Sequence, residues 1–110
     1  MSVRCEIVVH TERGNPISAV TENLGTGGVC ILLPKPLERF STCRLRLQLN
    51  DPLPPIDCTG KVVWIIPTKK DAKETKPSYD IGIEFVNLSE EADGALRRLI
   101  QEHADLKAQG

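Results

Sequence analysis

Aromatic side chains are scarce in this chain: one tryptophan, one tyrosine and two phenylalanines serve 110 residues. Bases of single-stranded nucleic acid stack on such rings, and Phe40, Trp64, Tyr79 and Phe85 are too few to build that platform. Positive charge is not in excess either. Fourteen Lys and Arg stand against fifteen Asp and Glu, for a net charge of −1. No overall field therefore draws a polyanion such as duplex DNA, and nucleic acid is not the expected partner. The four cysteines include no CxxC pair, and His10 and His103 stand alone. That spacing excludes the usual zinc frameworks. No apolar run reaches the ~20 residues of a membrane-spanning helix, so membrane insertion is not expected. No secretory signal is read at the start. Cys5, Cys30, Cys43 and Cys58 sit in apolar or strand-like runs, where a thiol behaves as a small hydrophobe. Reduced thiols in the cytoplasm are the expectation.

What is present is a single small domain over residues 1–110, with 40% hydrophobic residues to form one core. The stretch 21–33, TENLGTGGVCILL, is its most informative feature. Asn23 supplies two donors and an acceptor. Gly25, Gly27 and Gly28 allow positive φ and a close approach of backbone to a neighbour or ligand. The following VCILL, 29–33, is continuously apolar, which predicts a strand buried on both faces.

The remaining signals are mostly strand. Residues 3–10 place Val3, Cys5, Ile7 and Val9 on one face. Residues 11–15 form a turn, and 16–22 a short strand that starts at Pro16. Residues 43–49 alternate cleanly, with Cys43, Leu45, Leu47 and Leu49 inward and Arg44, Arg46 and Gln48 outward. Residues 56–66 read as a long strand with a bulge expected at Gly60. Polar, Lys-rich 67–78 reads as an exposed mobile hairpin loop, and 79–86 alternates again. Ser89 then caps a helix expected to end near Lys107, with Ala92, Ala95, Leu96, Leu99, Ile100 and His103 at helical spacing. Short connections imply antiparallel pairing. A small sheet of six strands avoids exposed edges by closing. The expected fold is therefore mainly β: a six-stranded antiparallel barrel with a C-terminal α-helix plugging or flanking one end.

This order of elements resembles the PilZ domain family. The family's ligand signature is D/N-x-S-x-x-G before an apolar strand. Asn23-Leu24-Gly25-Thr26-Gly27-Gly28 matches its first and last positions, with Gly25 where serine is expected. Gly60-Lys61-Val62-Val63-Trp64 is similar to the family's G-x-V-V-W strand, and Tyr79 to Phe85 to its Y-x-x-G-x-x-F strand. The resemblance spans about Val3 to Ile100. It implies a non-catalytic bacterial receptor for the second messenger cyclic di-GMP, acting in motility or biofilm control. It implies no cofactor, and it points to Asn23, Gly25 and Gly28 as ligand-binding residues.

The family's second signature, RxxxR before the first strand, is absent: Arg4 is the only arginine there. Arginine suits a dianion with two guanines because its planar fork bonds phosphate or guanine bidentately and its face stacks on bases. Arg4, Arg44 and Arg46 are the candidates for that role, and without it binding is expected to be weak. A second reading makes this a ligand-free adaptor that acts through a protein partner, with the 29–33 strand or the helix as the contact. In that case Asn23 caps its own turn and the glycines form a barrel corner. Trp64 and Tyr79 read as core or barrel-rim residues. An enzyme is disfavoured, because no nucleophile, base or paired-carboxylate constellation stands out, and Asp80 and Glu84 read as outward charges.

Overall fold

A computed structural model describes residues 5–12, 14–48, 54–68 and 78–109, with side chains described as far as residue 102. Six strands and one helix follow in order: β1 (Glu6–His10), β2 (Ile17–Leu24), β3 (Gly28–Leu33), β4 (Thr42–Gln48), β5 (Ile56–Thr68), β6 (Ser78–Val86) and α1 (Glu90–Gln109). The strands close into a barrel in the order β1-β2-β3-β6-β5-β4, and every neighbouring pair is antiparallel. Closure gives each strand a neighbour on both sides along the body of the barrel, while β5 beyond Val62 pairs with β6 alone among the described residues.

Period-2 alternation fills the interior. Ile7 and Val9 on β1, Ile31 and Leu33 on β3, Leu45 and Leu47 on β4, and Ile81 and Ile83 on β6 are all buried. The helix adds Ala92 and Leu96 to this core and packs against β5. Its first turn is built as the sequence implies. Ser89 Oγ accepts from the Ala92 amide at 3.1 Å, and Glu90, Glu91 and Asp93 stand at the positive end of the dipole. Such a cap contributes about 1 kcal/mol.

Several expectations change. The β3 strand alternates instead of being buried on both faces: Val29, Ile31 and Leu33 are inside, while Cys30 and Leu32 are half-buried on the outer wall. A closed barrel leaves one face of each strand outside, and helix α1 does not cover this one. The β2 strand runs on to Leu24, so Asn23 lies in a strand and the turn shrinks to 25–27. The bulge in β5 lies at Val63, between the Val62–Ile83 and Trp64–Gly82 pairs, and not at Gly60. Gly60 pairs in register with Cys43 and Phe85, and it lacks a side chain because Leu45 and Ile83 fill that space. The β5 strand also extends through Pro67 and Thr68, which pair with Tyr79 and Ser78. The helix continues to Gln109, past Lys107. Among the described residues positive φ occurs at Gly14, Phe40 and Asn87 and not in the glycine turn. Val3, Arg4, Arg13, Leu49, the 69–77 part of the hairpin loop and the His103 side chain lie outside the described residues.

Candidate functional site

The glycine turn is tied down on both sides. The Gly25 amide donates to the Gly28 carbonyl at 2.9 Å, and the Phe85 amide donates to the Gly27 carbonyl at 2.9 Å. A register shift between Thr21 and Asn23 places both Glu22 and Asn23 in exposed positions at the end of β2. Gly28 and Gly82 bring the backbones close. A Cβ on Gly28 would overlap the Ile83 carbonyl oxygen and lie 3.2 Å from the Glu84 Cα, and one on Gly82 would overlap the indole of Trp64. By contrast Gly25 and Gly27 have open space where a Cβ would stand.

The result is a depression of about 360 Å³ on the outer wall. Asn23, Gly25, Gly27, Gly28 and Trp64 line it, and the Trp64 indole lies over Gly82. Trp64 is 37% exposed, so it belongs to the outer wall and not to the core. The alternation of 56–66 hides this, because the Val63 bulge reverses the inside–outside phase, and VVWII carries no polar residue to mark the reversal. Tyr79 is half-buried against the core. The partly exposed indole of Trp64 offers a flat surface that can receive a planar heterocycle.

The electrostatics are unusual for an anion site. Glu84 lines the depression, and no described Lys or Arg does. Glu22 on β2, Cys30 on β3 and Asp80 on β6 bring their ligand atoms within 4.8 Å of one another just beside it. Burial, with Glu22 and Asp80 adding their negative charge, pushes the Cys30 thiol from 9.0 up to about 11. A divalent cation would have to displace that proton to use the sulfur. Cys58 is likewise raised to about 11 by burial and then by Asp57, and burial raises Cys5 and Cys43. All four thiols are free. The thiolate is the reactive form, and its higher intrinsic nucleophilicity offsets about half of the logarithmic loss in thiolate fraction. At pH 8 Cys30 and Cys58 should therefore react with a disulfide reagent about tenfold more slowly than a thiol of pKa 9. Stopped-flow labelling in native buffer and in denaturant checks this. Fast native labelling of either residue would contradict it.

The predicted site residues do not come together. Asn23, Gly25 and Gly28 share the depression. Arg44 and Arg46 stand on the outer face of β4, which lies three strands from β3 in either direction around the barrel. There they line a separate depression of about 620 Å³ with His10, Asp57, Thr59 and Ser89. Arg46 grips Asp57 with two bonds, Nε to Oδ1 at 2.8 Å and Nη2 to Oδ2 at 3.1 Å, and the contact holds the Asp57 carboxyl below its usual range. Arg4 lies outside the described residues.

Comparison with known proteins agrees with the geometry. The family model described as PilZ domain matches residues 1–102. No curated protein matches the sequence. Among solved structures, the PilZ domain of YcgR from Escherichia coli, determined with c-di-GMP, superposes with a TM-score of 0.76 at 20% identity, covering 96% of this chain and 88% of that one. MrkH from K. pneumonia in its apo state gives 0.81 at 14% identity, over 98% of this chain and 50% of its own. The Bacillus subtilis inhibitor of motility MotI/DgrA gives 0.72 at 17% identity, over 96% and 49%. The chain thus spans about half the length of the MrkH and MotI chains, and these likenesses establish the fold.

Proposed function

The chain belongs to the PilZ domain family, and from that premise we propose that it is a non-catalytic signalling module receiving cyclic di-GMP on the outer wall beside its glycine turn. One observation carries this reading: Asn23, the turn of Gly25, Gly27 and Gly28, and Trp64 surround a single depression. Each part has a task. The indole of Trp64 stacks a guanine, the Asn23 amide bonds its edge, and the open backbone at Gly25 and Gly27 admits the ligand closely. The phosphates are the weak point. Charge-assisted bonds contribute about 1.5–3 kcal/mol each, and no described cation lines the depression to make them. Binding by these 110 residues is therefore weak.

Calorimetric titration of cyclic di-GMP into the protein tests the reading, and silence at high micromolar ligand would sink it for this chain. Gly25→Ser adds a hydroxyl at an open position, and it should strengthen binding by about fivefold, the worth of one hydrogen bond near 1 kcal/mol. Adding an RxxxR arm should strengthen it further. If both changes leave the protein inert, the site is not a nucleotide site.

The lining itself favours a second reading. Glu84 at the depression, with Glu22 and Asp80 nearby, repels a dianion. A PilZ adaptor that works through protein contacts without nucleotide would have this wall. Four free thiols fit a reducing bacterial cytoplasm. No described helix is long and apolar enough to cross a membrane.

A further inference from the structure

The outer face of β2, β3, β6 and β5 carries an apolar patch with carboxylates set into it. One cross-strand row runs Leu32–Asp80–Ile66, and the next runs Asn23–Cys30–Gly82–Trp64. Val20 stands beside Leu32, one residue before the Thr21–Ile31 pair. Val20 is 50% exposed, Ile66 54% and Trp64 37%, while Leu32 is half-buried. A face with this much uncovered aliphatic and aromatic surface on so small a domain marks an interaction site. Asp80 sits between Leu32 and Ile66 in the middle of it, with Glu22 close by.

We infer that this face docks a basic amphipathic helix of a separate protein partner. The chemistry of the occupant follows from two features. The strands at the centre of the patch, β3 and β6, are paired on both sides, so a partner lying across them engages side chains and not a strand edge. Asp80 inside the apolar patch calls for a Lys or Arg on the apolar-facing side of the incoming segment, since a carboxylate covered without a counter-charge is strongly disfavoured. From β5 to β2 the patch crosses three inter-strand gaps, about 14 Å at the usual spacing. About three helical turns cover that length. The face shares Trp64 with the depression, yet its use by a partner does not rest on nucleotide binding.

Trp64 is the only tryptophan, so its emission reports the contact directly. The test titrates an amphipathic Leu/Lys peptide of about three turns into the 110-residue protein without nucleotide, beside a Leu/Glu peptide of identical pattern. The Leu/Lys peptide should saturate and shift the Trp64 emission to the blue, and the Leu/Glu peptide should not. Asp80→Lys should weaken binding by about tenfold, the effect of reversing a charge at a covered contact. Ile66→Gln, at an exposed position that folding does not need, should weaken it as well. Melting followed by circular dichroism confirms that both variants are folded. The proposal is overturned if the two peptides bind alike, if Ile66→Gln binds as the parent does, or if no peptide shifts the emission. It is also overturned if the protein's own concentration produces the shift with a dimer by sedimentation, because a second copy then covers the face. Cyclic di-GMP, titrated separately, reports on the nucleotide reading alone.

Discussion

Gly28→Ala should destabilise the domain by about 3 kcal/mol, as overpacking of a tight contact does, while the same change at Gly25 or Gly27 should leave stability within about 1 kcal/mol of the parent. The three glycines look alike in sequence, but only Gly28 stands where a methyl group meets backbone. Its added Cβ would overlap the Ile83 carbonyl oxygen, and that oxygen belongs to the β3–β6 ladder and cannot rotate away. Relief requires the two strands to part, which disturbs the Gly28–Glu84 and Val29–Ile83 pairs together. Gly25 and Gly27 face open space without a positive φ, so alanine there meets neither a clash nor a forbidden backbone. For a domain of this size the Gly28 change should lower the melting temperature by about 15 °C. Scanning calorimetry of the three variants decides the matter, and equal melting points would refute the distinction.

Leu96→Ala should destabilise the domain by about 3 kcal/mol, the usual result of emptying a fully buried leucine site. Leu96 has no exposed surface, and with Ala92 it carries the helix into the core formed by the strands. An alanine leaves a cavity that a closed barrel cannot collapse to fill. The neighbouring Arg97 is the control. It is largely exposed and holds Asp93 at 2.9 Å one turn away, so Arg97→Ala should change stability by under about 0.5 kcal/mol. Urea unfolding of both variants separates the cases. If Leu96→Ala unfolds at the parent's midpoint, the helix lies on the barrel without anchoring it.

Much of the architecture was legible because alternation is a strong signal where one face meets the core. The pattern Cys43-Arg44-Leu45-Arg46-Leu47-Gln48 gives β4 and its inward set directly, and Ser89 with its acidic first turn gives the helix start. Three things were not legible. The phase reversal at Val63 lies inside five consecutive apolar residues, so Trp64 reads as a core or barrel-rim residue when it stands on the outer wall and lines the depression. Buried and half-buried positions in VCILL look identical, because barrel closure and not hydrophobicity decides which face is covered. The distance between Arg44 and Gly28 depends on the order of strands around the barrel. The insertion of β6 and β5 between β3 and β4 separates strands that are consecutive in sequence. Asn23, Gly25 and Gly28 lie within six residues of one chain segment, and nearness in sequence does bring them together.

The single extra residue at Val63 makes β5 two strands in one. Before it the even positions, such as Val62, look inward; after it the odd position Ile65 does, and Trp64 and Ile66 look out. Which residues form this outer wall therefore rests on pairing register and not on chemical type. Deleting Val63 alone would keep Val62 opposite Ile83 and Trp64 opposite Gly82, so the wall would survive the loss of the extra residue. A relative that keeps every residue but pairs Val63 with Gly82, without the bulge, would instead turn Trp64 and Ile66 inward, and would have surrendered the wall while keeping its letters.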